Sequence, residues 1–106
     1  DDDIDNYPAA QINLPITVFL SISIQNHTEA WLKNFQKVVN KYDQIIEVHR
    51  LTGSNSDYQI TILSPSIEEY DKFQQSLIKE IECTNMSSHI SLQTIKKNDK
   101  YPLNFI

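Results

Sequence analysis

IIEVHRLTGSNSDYQITIL, residues 45–63, is the stretch that decides how the chain folds. Two runs rich in β-branched residues, Ile45 to Thr52 and Tyr58 to Leu63, flank Gly53, the single glycine among 106 residues. Glycine takes positive φ without a steric penalty, so its place between two such runs predicts a hairpin with a loop of about five residues. Ser54, Asn55 and Ser56 follow the glycine, then Asp57 and Tyr58. The loop therefore offers backbone N–H groups, hydroxyls and one carboxylate together, an inventory that suits a small zwitterion. An ordinary polar turn accounts for the same residues, because turns favour Gly, Ser, Asn and Asp for backbone reasons.

Upstream, Ile16 to Ile24 alternates, with Val18, Leu20, Ile22 and Ile24 on one face and Phe19, Ser21 and Ser23 on the other. That period predicts a strand with one buried face. Asn26, three residues before Glu29, predicts a helix start, and Trp31, Phe35, Val38, Val39 and Tyr42 recur at helical spacing behind it. Such an aromatic stripe marks core more often than a ligand site. Downstream, Ser66 with Glu69 repeats the capping spacing, and Ile67, Tyr70, Phe73, Leu77, Ile78 and Ile81 form a second apolar stripe. A last strand, Met86 to Lys96, alternates Ile90, Leu92 and Thr94 against His89, Ser91, Gln93 and Ile95. The order βαββαβ predicts an α+β, ferredoxin-like fold: a four-stranded antiparallel sheet ordered 4-1-3-2 with two helices on one face. The other face would carry Phe19, Leu51, Leu63 and Ile95 among Ser21, Ser23, Thr61 and Ser91. That surface is too apolar to be solvated and too polar for a monomer core, so it predicts a homodimer joined through it.

One domain is all that this length accommodates. Fourteen acids against nine bases give a net charge of −5, and no basic cluster exceeds Lys96-Lys97, so the chain lacks an electrostatic footprint for nucleic acid. No apolar run is long enough to span a membrane or to serve as a secretory signal, which makes a cytoplasmic protein the expectation. Cys83 is the only cysteine, and no thiol or imidazole cluster accompanies it, so neither a disulfide nor a metal site is expected. Residues 1–15, with Asp1-Asp2-Asp3 and Asp5 at their start, read as the remnant of a linker, and residues 16–106 as the domain. The chain does not begin with Met, which suggests a piece of a longer protein.

LPITVFLSISI at 14–24, EVHRLTG at 47–53 followed by Asp57-Tyr58, PSIEEYDKF at 65–73, SSHISLQTIKK at 87–97 and a later YPL together resemble the C-terminal effector-binding and oligomerisation (RAM) domain of the Lrp/AsnC transcriptional regulators. The resemblance implies an amino-acid effector, homodimers that assemble into octamers, and control of DNA binding through an attached helix-turn-helix domain absent from this chain. Truncation of that domain is the first explanation, and a stand-alone amino-acid-binding domain the second. By the same resemblance the effector site takes the loop residues Gly53, Ser54, Asn55, Ser56, Asp57 and Tyr58, with Ile67, His89 and Ile90 as further contacts. Two departures stand out: three residues, not two, separate the loop glycine from Asp57-Tyr58, and Glu82-Cys83-Thr84-Asn85 replaces a Pro-Gly turn.

A small dimeric ferredoxin-like enzyme is the other class to weigh. Its acid–base candidates would be His49 and His89, but strands two and four are opposite edges of the expected sheet. No nucleophile–base pair is visible, so no catalytic residue and no cofactor are assigned, and a binding domain is the reading.

Overall fold

A computed structural model describes residues 15–53, 55–100 and 102. The elements follow the order β1 (Ile16–Ser23), α1 (Glu29–Lys41), β2 (Ile45–Arg50), β3 (Tyr58–Ser64), α2 (Ile67–Glu80) and β4 (Asn85–Ile90). All pairings are antiparallel and the sheet order is β2-β3-β1-β4, as the element order predicts. β1 lies at the centre, pairing Ile22 with Tyr58 on one side and with Met86 on the other.

Alternation sends Val18, Leu20 and Ile22 of β1 and Tyr58, Ile60 and Ile62 of β3 to the helix side, where they are buried. Trp31, Phe35 and Val38 from α1 and Tyr70, Leu77 and Ile81 from and just after α2 complete a single core with them. Each such aliphatic side chain contributes roughly 1.5–3 kcal/mol by leaving water. On the opposite face, cross-strand pairing sets Glu47, Thr61, Phe19 and His89 in one row and His49, Gln59, Ser21 and Ser87 in the next.

Four expectations need correction. The α1 cap is Thr28, whose Oγ1 accepts from the Trp31 amide at 3.0 Å, and not Asn26. In α2, Ser66 does cap through the Glu69 amide, but Ile67 and Ile78 are 60% and 47% exposed and leave the apolar stripe to Tyr70, Phe73, Leu77 and Ile81. Ile67 is the first helical residue, and Ile78 is turned about 100° from Leu77, away from the sheet. β2 ends at Arg50 and not at Thr52. β4 ends at Ile90 and not at Lys96: with Val18 opposite Ile90 only two residues of β1, Thr17 and Ile16, lie beyond that pair, so a strand reaching Lys96 would run past its partner, and Thr17 O accepts from the Ser91 amide. Leu51 and Ile95 thus lie outside the strands whose open face they were expected to share, and Leu92 is 98% exposed, not inward. The expectations for residues 1–14, Ser54 and most of the YPL-containing tail fall outside the described residues. Among the described residues no helix is long and apolar enough to cross a membrane.

Candidate functional site

The β2–β3 loop is closed by a hydrogen bond from the Leu51 amide to Asp57 O at 2.8 Å, so five residues, Thr52 to Ser56, lie within it. Gly53 has φ +117°, a conformation that L side chains resist, and it is exposed. The single glycine therefore sits where the backbone requires one.

Past the end of the β1–β3 ladder, the loop is fastened to the segment leaving β1. The Asp57 amide donates to Ile22 O at 2.8 Å, and the Ile24 amide donates to Asp57 Oδ2 at 2.8 Å. Ser23 Oγ donates to Asn55 O. Asp57 is thus half-buried, with one carboxylate oxygen engaged in backbone capping and the loop drawn against Ser23 and Ile24. Charge-assisted bonds of this kind are about twice as strong as neutral ones. Tyr58 points the other way, into the core. Its ring lies 4.9 Å from Phe35 and 5.5 Å from Trp31, and its hydroxyl sits 2.6 Å from His27 Nε2. The Trp31 and Phe35 rings stack at 4.8 Å, and Trp31 Nε1 donates to Glu82 O at 2.6 Å. Trp31 and Phe35 form core, as their helical spacing predicts, and Tyr58 of β3 joins them there.

Ile67, His89 and Ile90 lie away from the loop, Ile67 just past the far end of β3 and His89 and Ile90 on β4, level with Thr61 and Ile62 of β3. β3 runs from Tyr58, beside the loop, to Ser64, just before Ile67. Its six residue steps cover about 20 Å. Ile90 faces the core beside Val18, half-buried, whereas His89 lies on the open sheet face opposite Phe19 and is exposed. The Tyr70 hydroxyl, bonded to Ser88 Oγ, ties α2 to this end of β4. Within one chain, then, Gly53, Asn55, Ser56 and Asp57 share one loop, the Tyr58 side chain turns from it into the core, and Ile67, His89 and Ile90 lie away from it.

The remaining chemistry is sparse. His49 Nε2 is 3.1 Å from Glu47 Oε1 on exposed β2, and His89 is on the far edge strand. No three His, Cys, Asp or Glu residues among those described could share a metal ion. Burial pushes the Cys83 thiol above its ordinary range, which disfavours the reactive thiolate. A cleft of about 380 Å³ lies between Gln44, Ser64 and Phe73, and another of about 280 Å³ between Ile24, Trp31 and Cys83; among the described residues of the Gly53–Tyr58 loop, none lines either. The fastening of the loop to Ser23, Ile24 and His27 was not legible in the sequence. Its bonds join residues 31 to 33 positions apart, and Asn26-His27-Thr28 carried only a capping signal.

The family model described as the Lrp/AsnC ligand binding domain matches residues 17–101. The chain belongs to the Lrp/AsnC family. Among curated proteins, the HTH-type transcriptional regulator Zrp of Zymomonas mobilis is 38% identical over 96 residues, covering 91% of this chain and 62% of its own length. This Lrp/AsnC domain therefore spans about three fifths of that relative. The crystal structure of an AsnC family transcriptional regulator from Agrobacterium tumefaciens superposes with a TM-score of 0.81 at 32% identity, over 94% of this chain and 65% of that one. A Neisseria meningitidis transcriptional regulator, solved as its L-Met complex, has the same fold with a TM-score of 0.79 at 22% identity, over 93% of this chain and 64% of that one.

Proposed function

We propose that this Lrp/AsnC domain senses an amino acid at its β2–β3 loop and passes the signal to the assembly, and thereby to the DNA binding, of a cytoplasmic transcriptional regulator. The observation that carries the reading is the match of residues 17–101 to the family's ligand-binding domain. The L-Met complex of the Neisseria structural neighbour supports an amino acid as the class of effector. A regulator and not an enzyme is the reading that the named function of Zrp supports.

The loop supplies the chemistry. A carboxylate offers about four lone-pair sites, and the Ile24 amide takes one on Asp57, which leaves capacity for an effector ammonium. Backbone N–H groups around Gly53 to Ser56 serve the effector carboxylate in the manner of an anion-binding nest. Ile67, just past the far end of β3, and His89 and Ile90, two strands across from the middle of β3, stand apart from the loop of their own chain. They complete the pocket from another copy, so that effector binding and assembly are coupled. Dimers form through the open sheet face around Phe19 and Thr61, octamers form from dimers, and DNA is held by a helix-turn-helix domain of the whole regulator.

Calorimetric titration with each of the twenty amino acids, L-methionine first, tests this reading. Asp57→Asn keeps an oxygen for the Ile24 amide and removes the charge, so it is expected to weaken the best ligand by about tenfold or more. Unchanged affinity in that variant removes Asp57 from the site, and heat from none of the twenty contradicts amino-acid sensing.

A further inference from the structure

Three features meet on the short segment between β1 and α1. Asp57 and Asn55 hold its start, through the Ile24 amide and Ser23 Oγ, and Tyr58 holds its end, through His27. Thr84 fastens the α2–β4 turn to the same segment, its amide and Oγ1 both donating to Ser23 O at 2.8 and 3.0 Å. His27 differs from the other contacts in position. It immediately precedes Thr28, the N-cap that accepts the Trp31 amide through Oγ1 and the Leu32 amide through its carbonyl, each at 3.0 Å. Between Ile24 and His27 stand Gln25 and Asn26, both exposed, whose backbone can absorb a movement that enters at Ile24.

From this geometry we infer that His27 is a positioning residue that couples the Gly53–Asp57 loop to the first turn of α1, acting through the Tyr58 hydroxyl. When the loop moves, Asp57 carries Tyr58 with it. The ring is held among Phe35, Trp31 and His27, and the 2.6 Å contact transfers the displacement to the residue beside the cap. The helix start loosens or tightens with the loop. The inference deepens the amino-acid-sensing reading and rests on it for what moves the loop in the cell, whereas the coupling itself stands on contacts within one chain.

Amide exchange read by NMR tests it without a ligand. An added Cβ at Gly53 meets nothing within 4 Å, so Gly53→Ala perturbs the loop through its backbone alone. With His27 present, Gly53→Ala is expected to speed exchange of the Trp31 and Leu32 amides severalfold and to leave Ile60 and Ile62 in the core strand unchanged. His27→Ala should abolish that response, and His27→Gln, whose amide keeps both a hydrogen-bond donor and an acceptor for the Tyr58 hydroxyl, should restore it. Tyr58→Phe removes the same bond from the other side, keeps the ring in the core, and must reproduce His27→Ala even if the latter folds poorly. A Gly53→Ala variant with unaltered Trp31 and Leu32 exchange overturns the coupling. So does an equal acceleration in the Tyr58→Phe background. L-Methionine serves as the ligand probe: calorimetric binding that leaves Trp31 and Leu32 exchange untouched also overturns it. Absence of heat counts against L-methionine as the effector, and the Gly53 comparison still decides the coupling.

Discussion

Gly53 shows how far one residue type carries an argument. Its φ of +117° is the conformation that its solitary place in the sequence predicts, and no neighbour stands where a side chain would go. Gly53→Ala is therefore expected to cost about 1–2 kcal/mol through backbone strain and not through a clash. The shift in urea midpoint measures it, and an unchanged midpoint would mean that the loop relaxes freely. Asp57 was legible only in part. Its isolation as the one charge between Leu51 and Ser64 marked it out, but the Ile24 amide that its carboxylate caps is 33 residues away. Nothing in local pattern announces a side chain that finishes another strand's ladder. Tyr58 is a similar case: adjacent to Asp57 in sequence, it faces the core, because neighbours on a strand point to opposite sides.

At the scale of elements, hydrophobic period found both helices and all four strands, and its errors have physical causes. A strand continues only while a partner continues, so β4 stops beside the first residues of β1 although Leu92 and Ile95 prolong an apolar pattern. A cap is defined by which oxygen reaches the first-turn amides, so Thr28 displaces Asn26. The contact between helices was also hidden from period. Lys41 and Tyr42, at the end of α1, both bond the Glu80 carboxylate at the end of α2. The Lys41 ammonium, and after it the Tyr42 hydroxyl, hold the Glu80 carboxyl below its usual range, while Glu80 raises Lys41. A lowered carboxyl contributes stability above its unfolded value and loses it as pH falls through the folded one; the raised lysine loses its share only as pH rises through its own folded value. Glu80→Gln should thus flatten the loss of stability on acidification, read as urea midpoints between about pH 6 and pH 2. A variant profile parallel to the wild type would show that the pair contributes nothing in solution.

The whole molecule presents two features on which the proposed assembly bears. Its open sheet face sets Phe19 and Thr61 between Glu47 and His89, and its predicted site residues divide between the loop before β3 and a group formed by His89 and Ile90, level with Thr61 and Ile62, and Ile67, just past β3. We propose that a second copy over the sheet covers the first, and that a pocket shared between copies unites the second. A ligand held between copies favours the assembly that contains its pocket by as much as it binds that state more tightly. This linkage is the centre of the account, and sedimentation velocity tests it most directly, with and without the amino acid that gives the strongest calorimetric signal. The protein is expected to sediment as a dimer at micromolar concentration and to change its sedimentation coefficient when that amino acid saturates the loop, less so in Asp57→Asn. Saturating binding with an unchanged sedimentation coefficient at every protein concentration would contradict it.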